Sequence, residues 1–254
     1  MARDVFDEVA AEYDNLGVDF FTPMGTALVE AAGVKPGDRL LDVGCGRGAV
    51  LLPAAEAVGA TGHVTATDRA PAMVELTRRS TAHLPQVTVE VGDAQAPDFP
   101  AGSFDVITAG LVIFFLPDAA AALHAYRKLL RPEGKLAFST FAAQDPRYVA
   151  AIRALSALLE TPPPRPAAMT STFQNPDWLR STVAGAGFPD ARITTFTVES
   201  RFRDVAHLLA WTGSHAGANV ARRVPVEQAV GALTPIFPDG PPSLTTTINL
   251  VVAS

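Results

Sequence analysis

The chain has 254 residues, of which 48% are hydrophobic, so it can bury a substantial core, and we expect one domain over residues 1–254. Its net charge of −6 argues against a nucleic-acid partner, because proteins that bind nucleic acids usually present a basic surface to the phosphates. A single cysteine excludes an internal disulfide, and the charged first segment, MARDVFDEVAAEYD, differs from an apolar secretory signal, so we expect a cytoplasmic protein.

The first part of the chain predicts two amphipathic helices, at 3–16 and 20–33. In the first of them, Phe6, Val9 and Tyr13 recur at helical spacing. Residues 1–34 are therefore expected to form a helical cap beside the segments that follow.

Strands and helices then alternate, which predicts an α/β core. The expected strands are short and nearly all apolar, as is typical of parallel strands that are buried on both faces. They lie at 39–43, 63–67, 87–91, 104–109 and 134–140. The helices between them are expected near 48–58, 70–83 and 118–130. This order is typical of a doubly wound, mostly parallel sheet, here over residues 35–140.

The longest apolar run, VITAGLVIFFL at 106–116, is bounded by Asp105 and Pro117. A membrane helix needs about 20 such residues, so we interpret the run as a buried strand and expect no membrane partner.

The rest of the chain predicts further helices and two more strands. After a helix at 147–160, the prolines of TPPPRPAAM (161–169) remove backbone donors and predict a loop. Asn175 before Pro176 is suited to cap a helix that runs to about Gly185. A strand at 192–199, helices across 203–231 and a last strand at about 243–253 follow. The sheet is thus expected to have seven strands, with segments 141–186 and 203–240 covering a substrate.

The segment LLDVGCGRG (40–48) passes from a strand through three alternating glycines towards a helix. Such a turn places backbone N–H groups at the carboxyl edge of a sheet, where open α/β folds bind ligands. A nucleoside-triphosphate loop would need a Lys and a Ser or Thr after its last glycine, and a dinucleotide site would need G-x-G-x-x-G, so both interpretations are disfavoured. Asp42, before the glycines, suits a ligand with a positive amino group.

LLDVGCGRG, with ATD at 66–68, GDA at 92–94, FDVITAGLVIFFLPD at 104–118 and LLRPEGKLAFST at 129–140, resembles the class I S-adenosylmethionine-dependent methyltransferases. The similarity is to their small-molecule branch, which includes ubiquinone- and menaquinone-biosynthesis enzymes, and it covers about residues 1–140. Pro132-Glu133-Gly134 stands where the family usually has Pro-Gly-Gly. The resemblance implies a Rossmann-like fold, S-adenosylmethionine as donor and S-adenosylhomocysteine as product. It also implies O-, C- or N-methylation of a small, hydrophobic or aromatic acceptor, in secondary metabolism or quinone-like biosynthesis.

The resemblance also implies roles for residues of the glycine loop and the second strand. Gly44, Gly46 and the backbone around Cys45 would let the methionine part of the donor approach closely, because glycine has no Cβ. Asp68 would accept hydrogen bonds from the ribose hydroxyls. A helix cap is the alternative role for Asp68, because a predicted helix begins two residues later.

Further donor contacts are implied elsewhere. Asp93 would accept from the adenine amino group, with a backbone donor at Ala94, although Asp93 is equally suited to a turn. Leu111 would lie near the sulfonium, and Tyr13 resembles an N-terminal aromatic residue that closes over the donor. The full set expected to bind the donor is Tyr13, Asp42, Gly44, Cys45, Gly46, Asp68, Arg69, Asp93, Ala94 and Leu111.

The acceptor side is predicted from segments outside the sheet. Phe114 indicates a hydrophobic acceptor, with a core position as the alternative, and GLVIFF at 110–115 replaces an Asn-Pro-Pro-Tyr-type motif for nucleobase amines. His207, Trp211 and His215 are spaced by four, so they are expected on one helix face, either a pocket wall or a packing surface. His215 is the candidate catalytic base, since an ordinary histidine pKa of about 6.5 suits removal of a hydroxyl proton. Alignment of the acceptor without any base is the alternative.

The remaining expectations concern metals, partners and rival functions. The histidines, the cysteine and the carboxylates show no metal-ligand spacing, so no metal is expected. The partner is expected to be a small-molecule acceptor, and the chain a monomer or homodimer. Two rivals stay open: a nicotinamide-dependent oxidoreductase, and an S-adenosylmethionine-binding protein on the same scaffold that catalyses another reaction or serves as a partner subunit.

Overall fold

The computed structural model describes residues 5–163 and 171–254. Within these ranges seven strands form one sheet in the order β3-β2-β1-β4-β5-β7-β6, and only β7 runs antiparallel to its neighbours. The strands are β1 (Arg39–Val43), β2 (His63–Asp68), β3 (Val87–Val91), β4 (Phe104–Gly110), β5 (Leu130–Gln144), β6 (Ala191–Arg201) and β7 (Ser243–Ala253). The predicted doubly wound, mostly parallel sheet is therefore confirmed.

Helices surround the sheet. They are α1 (Val5–Val9), α2 (Phe21–Ala32), α3 (Leu51–Val58), α4 (Pro71–Ser80), α5 (Ala119–Leu129), α6 (Pro146–Ala157), α7 (Ser171–Gln174), α8 (Pro176–Gly185), α9 (Val205–Thr212), α10 (Ala218–Ala221) and α11 (Val226–Leu233). None of the helices in the described ranges has both the length and the apolar character needed to cross a bilayer.

Alternating side-chain direction along the strands separates the core into two layers. Leu40 of β1 packs with Ala54 of α3 on one face of the sheet, and its neighbour Leu41 packs with Leu123 of α5 on the other. Successive strand residues point to opposite faces, so an apolar strand can support helices on both sides. The chain runs from β1 to β2 and β3 on one side, and the next strand, β4, then pairs with β1 on the other side. This change of direction opens a crevice at the carboxyl ends of these two strands, where ligands bind in such folds.

The N-terminal prediction was wrong in its extent. The helix expected at 3–16 is described only as Val5–Val9, and the chain continues in turns to Asp14, which has a left-handed φ of 52°. A left-handed residue cannot continue a right-handed helix, although Asp tolerates this conformation better than most residues.

The helices expected across 203–231 are α9, α10 and α11. Helix α9 ends at Thr212, and a tight turn follows in which a Cβ on Gly217 would lie 2.6 Å from the carbonyl oxygen of Thr212. His215 lies in this turn, so the prediction of one continuous helix face for His207, Trp211 and His215 was wrong. Of the loop predicted at 161–169, residues 164–169 lie outside the described residues.

Candidate active site

The glycine loop crosses the crevice after β1. Gly44, Gly46 and Gly48 have φ values of 67°, 50° and 95°, which lie in the left-handed region that glycine adopts at little cost. A Cβ on Gly44 would also lie 2.4 Å from Cγ2 of Val112. The loop therefore presents bare backbone between the carboxyl ends of β1 and β4.

Asp68, the last residue of β2, holds this loop in place. Its Oδ2 accepts the N–H of Gly46 at 2.9 Å, and its Oδ1 accepts the N–H of Ala70 at 2.9 Å. Thr77 of α4 donates its hydroxyl to the carbonyl of Gly46 at 2.7 Å. Asp68 thus supports both the loop and the start of α4, beside the place where the resemblance expects the ribose. Its neighbour Arg69 is exposed.

A small cavity of about 40 Å³ lies against the glycine loop and contains unsatisfied polar groups. Asp42 is fully buried; its Oδ1 accepts the hydroxyl of Thr108 at 2.9 Å, and its Oδ2 has no partner within the described residues. Burial raises the pKa of Asp42 to about 7. Because buried polar atoms are normally hydrogen-bonded, the free Oδ2 marks a position for a donor group from a ligand.

Two further charged residues line this cavity, and sequence reasoning missed both. Burial raises the pKa of Asp14 to about 6, against the opposing charge of Arg47. The Nε atom of Arg47 is itself buried without a partner among the described residues. Two carboxylates and a guanidinium complement an ammonium and a carboxylate, the two charges at the amino-acid end of S-adenosylmethionine. The residues present therefore fit the expected donor.

Cys45 lies in the same loop but has no reactive character. Its thiol is buried, and burial, together with the charges of Asp42 and Asp68, raises its pKa well above the usual range. A nucleophilic cysteine needs the opposite environment. Cys45 therefore contributes its backbone and a small packed side chain.

Leu111 follows β4 in a strained conformation. Its φ of 56° is left-handed, and its N–H donates to Oγ of Ser139 at 3.0 Å. Such strain persists only where surrounding contacts hold it, and it is concentrated at functional sites. Leu111 lines a second, much larger cavity.

The large cavity has a volume of about 770 Å³ and an aromatic wall. Nine of its lining residues are phenylalanine, tyrosine or tryptophan, among them the predicted substrate residues Phe114 and Trp211. The aromatic residues are Phe6, Tyr13, Phe20, Phe21, Phe114, Phe115, Phe141, Tyr148 and Trp211. Pockets of this size hold small organic ligands, and an apolar lining favours ring-containing ones.

Tyr13 and Phe21 form the partition between the two cavities. Both residues line both cavities, and their rings stack with centroids 4.8 Å apart. Burial raises the pKa of the Tyr13 hydroxyl far above its usual value, so it stays neutral. The glycine-loop cavity and the aromatic cavity therefore adjoin across one pair of rings, and closure of Tyr13 over the donor stays a prediction.

Asp93 and Ala94 lie in a turn that lines neither cavity. Asp93 is exposed, and its Oδ1 accepts the N–H of Gln95 at 2.8 Å. The carbonyl of Ala94 accepts the hydroxyl of Tyr126 at 2.6 Å. Asp93 therefore stabilises a turn, which was the alternative role, and its contact with adenine stays a prediction.

His207 does not line the large cavity, which corrects its prediction as a substrate residue. It is buried against the N-terminal segment, with Nε2 3.0 Å from the carbonyl oxygen of Leu16. Its Nδ1 accepts the N–H of Arg203 at 3.2 Å. With both ring nitrogens engaged, His207 joins α9 to the chain before α2.

His215 lines the large cavity, but its environment argues against the predicted role as a base. Its ring packs 4.4 Å from that of Trp211 and 6.0 Å from that of Phe21, and burial lowers its pKa to about 4. The Nδ1 atom accepts the N–H of Gly217 at 3.4 Å, while Nε2 is buried without a partner among the described residues. A group with this pKa is a weak base, so His215 serves better as part of the aromatic wall.

Groups of side chains that could bind a metal ion are the last feature of the site. Over residues 5–163 and 171–254, no three histidine, cysteine, aspartate or glutamate side chains are grouped so that they could hold a metal ion.

Comparison with known proteins supports the same assignment. Residues 40–134 match the methyltransferase domain family. The chain is 40% identical over 207 residues to aklanonic acid methyltransferase DauC of Streptomyces sp. (strain C5), covering 75% of this chain and 92% of that protein. It is 38% identical over 225 residues to nocamycin O-methyltransferase of Saccharothrix syringae, covering 83% of this chain and 80% of that protein. The fold matches a SAM dependent methyltransferase from Aquifex aeolicus with a TM-score of 0.54 and 16% identity over 98% of each chain.

Proposed function

Because the chain belongs to the class I S-adenosylmethionine-dependent methyltransferases that act on small molecules, we propose that it methylates an oxygen atom of an apolar, ring-containing acceptor in secondary metabolism. The observation that carries this proposal is the adjacency of the two cavities. A charged cavity at the glycine loop and an aromatic cavity of about 770 Å³ share Tyr13 and Phe21 as their common wall.

When bound, S-adenosylmethionine supplies a methyl group that its sulfonium has already activated. In our proposal the chain mainly binds and orients. Asp14 and Asp42 hold the ammonium of the donor, Arg47 holds its carboxylate, and Asp68 accepts from the ribose. The support lies in the unsatisfied Oδ2 of Asp42 and Nε of Arg47, and in the fixed position of Asp68 beside the loop.

The aromatic cavity orients the acceptor and excludes water. The ring centroids of Phe114 and Phe141 lie 5.6 Å apart and those of Trp211 and Tyr148 lie 5.8 Å apart, so two ring pairs contribute apolar surface. Alignment of two reactants in a dry site accounts for a large part of the rate in a direct displacement. No catalytic base is needed where the acceptor atom is already a competent nucleophile.

Oxygen is proposed as the acceptor atom on two grounds. One relative is named as an O-methyltransferase, and the other is named for an acid, a compound with an ionisable oxygen. The chain also has GLVIFF at 110–115, in place of the polar motif expected for nucleobase amines.

The proposal is tested by incubating the purified chain with S-adenosylmethionine and a panel of aromatic acids, phenols and amines, followed by mass spectrometry. We expect S-adenosylhomocysteine and an O-methylated product to form in equal amounts. The variant Gly44→Val, in which the new side chain would collide with Val112, is the matched negative control. Donor and acceptor binding without any methylated product would instead support another reaction on the same scaffold.

A further inference from the structure

One buried polar atom in the wall of the large cavity has no hydrogen-bond partner. Within the described residues, four buried side-chain nitrogen or oxygen atoms lack a partner: Oδ2 of Asp42, Nε of Arg47, Oγ1 of Thr67 and Nε2 of His215. The first two line the glycine-loop cavity and fit the charged end of the donor, and Thr67 lines neither cavity. His215 alone of the four lines the large cavity. By the same reasoning as for Asp42, its free nitrogen marks a position for a ligand group.

The contacts of His215 decide which of its two ring nitrogens carries the proton. Nδ1 accepts the N–H of Gly217 at 3.4 Å, so the proton of the neutral ring lies on Nε2. Burial lowers the pKa of His215 to about 4, so the ring is neutral at neutral pH. Nε2–H is therefore a hydrogen-bond donor, which can bind a ligand oxygen but cannot take a proton from it.

The position of the ring directs this donor towards the aromatic wall. Nδ1 is engaged by the backbone of the turn, and Nε2 lies at the far edge of the ring. The rings packed against His215 are those of Trp211, with centroids 4.4 Å apart, and Phe21, at 6.0 Å, and both residues line the large cavity. A phenyl ring has no lone pair and the indole nitrogen of Trp211 only donates, so neither neighbour satisfies Nε2–H.

Phe21 connects His215 with the partition between the two cavities. Its ring stacks on that of Tyr13, and these two rings separate the glycine-loop cavity from the large cavity. In the proposed function a methyl group passes from one cavity to the other, so the two rings have to be displaced. Because Phe21 is also packed against His215, its displacement frees space at the imidazole ring.

Other polar side chains of the large cavity differ from His215. Ser200 is satisfied, because it donates its hydroxyl to the carbonyl of Asp19 at 2.7 Å. Gln144 is half-buried and Asn219 is exposed, so solvent can bind their amides. The Nε2–H group of His215 has neither kind of partner. A ligand that supplies an acceptor atom therefore gains a hydrogen bond that the ligand-free chain does not make.

We propose that the Nε2–H group of His215 donates a hydrogen bond to a carbonyl oxygen of the acceptor and thereby fixes the position of its ring system in the large cavity. This inference rests on the proposed function and specifies how the acceptor is held. A carbonyl oxygen has lone pairs and no proton, so it complements a group that only donates, and the surrounding aromatic rings disfavour a charged group. The carbonyl is separate from the methylated oxygen, because a hydrogen bond to the reacting atom would lower its nucleophilicity.

The test compares 9-fluorenone with fluorene, two ligands of nearly equal shape that differ by a carbonyl in place of a methylene group. Quenching of tryptophan fluorescence measures their binding in the presence of S-adenosylhomocysteine, since Trp211 lines the cavity. The wild-type chain is expected to bind 9-fluorenone about 5- to 20-fold more tightly than fluorene. The variant His215→Phe keeps a ring and removes the donor, so it is expected to lose this preference.

Two further variants separate the hydrogen bond from the packing of the ring. His215→Gln places an amide N–H near the position of Nε2 and is expected to keep part of the preference. His124→Gln removes an exposed histidine of α5 that lines neither cavity, and it is expected to behave as the wild type. A preference that His215→Phe keeps and His215→Gln loses would overturn the inference, because it would follow the ring and not the donor.

Infrared spectroscopy detects the hydrogen bond itself, with 9-fluorenone that carries carbon-13 at the carbonyl. Donation from Nε2–H should shift the carbonyl stretch of the bound ligand to a lower frequency in the wild type than in His215→Phe. Equal affinity of the wild type for the two ligands, or an equal carbonyl frequency in the two proteins, would overturn the inference. A shifted carbonyl and an intact preference, in a chain that transfers no methyl group to any oxygen, would contradict the proposed function alone.

Discussion

Asp68 has a structural role in the glycine loop, and we propose that the same side chain also binds the donor. It fixes the glycine loop through Gly46 and the start of α4 through Ala70. The two roles that the sequence left as alternatives are compatible, because a carboxylate has about four acceptor positions. A substitution should therefore affect both donor binding and stability.

We predict that Asp68→Ala weakens S-adenosylhomocysteine binding by roughly 1.5–3 kcal/mol, because it removes charge-assisted hydrogen bonds. Calorimetry measures the affinity, and urea unfolding measures the stability. The matched control is Asp118→Ala, since Asp118 caps α5 by accepting the N–H of Ala121 at 2.9 Å and lines neither cavity. The Asp118→Ala variant should lose about 1 kcal/mol of unfolding free energy and no affinity for the donor. Undiminished affinity in a folded Asp68→Ala protein would leave Asp68 as a cap only.

The raised pKa of Asp42 predicts that a change of pH affects stability and donor binding in opposite directions. Its pKa is raised to about 7 in the folded chain and is about 4 when unfolded, so the folded chain takes up a proton as pH falls from about 8 to 5. The free energy of unfolding without ligand should therefore rise over that interval. Donor affinity should fall over the same interval, because protonated Asp42 and Asp14 no longer attract an ammonium.

The measurement is urea unfolding and donor calorimetry at both ends of this interval. Asp42→Asn is expected to be more stable than the wild type at the upper pH and to lose most of the pH dependence. Asp98→Asn, at an exposed position, serves as the control and should leave both profiles unchanged. A wild-type donor affinity that is constant across the interval would contradict the assignment of these carboxylates to the ammonium.

For His215 we predict a small effect of substitution. His215→Phe keeps a ring against Trp211, and it should retain the turnover number within about 10-fold, with an unchanged pH profile. Removal of a general base would cost about 10²–10⁴-fold. Steady-state kinetics across pH, with an acceptor that the chain methylates, decides between a wall residue and a general base. A large loss of turnover together with loss of the acidic limb would restore His215 as the base.

At the scale of elements, the N-terminal segment is the part that must move. The cavity at the glycine loop holds only a small group, and Tyr13 and Phe21 cover it. Arg222 joins this segment to the C-terminal helices, because it binds Glu12 at 2.5 Å and the carbonyl of Gly213 at 2.6 Å. Entry of the donor should therefore shift residues 5–21 and the turn after α9 together.

We predict that S-adenosylhomocysteine lowers hydrogen exchange in residues 5–21 and 213–221 by the same factor, while exchange in α8 stays constant. Arg222→Gln should uncouple the two segments, so that protection appears in the first and not in the second. Equal exchange with and without ligand would show that the cap is rigid.

The elements were predicted well where the pattern is local. Apolar runs located the central strands, because strands buried on both faces need little else. The break after α9 was missed, since it depends on the contact of Gly217 with Thr212 in a stretch with helical periodicity. The burial of His207 was missed for a similar reason, because its partner Leu16 lies 191 residues away in the chain.

At the scale of the whole molecule, the sheet brings distant parts of the sequence to one crevice. The motifs of the resemblance singled out the glycine loop, Asp68 and Leu111 because these residues lie at or directly after the carboxyl ends of strands. Asp14 and Arg47 were missed, since their importance depends on which cavity they line. Periodicity and motif spacing do not report the shape or the charge of a cavity.

The central claim is that a methyl group passes from a donor held at the glycine loop to an oxygen atom in the aromatic cavity. The most direct measurement uses S-adenosylmethionine with a carbon-13-labelled methyl group, an apolar aromatic acid as acceptor, and nuclear magnetic resonance of the product. The account predicts one labelled methyl on oxygen for each S-adenosylhomocysteine formed. A label found on carbon or nitrogen, or a converted acceptor that carries no label, would contradict it.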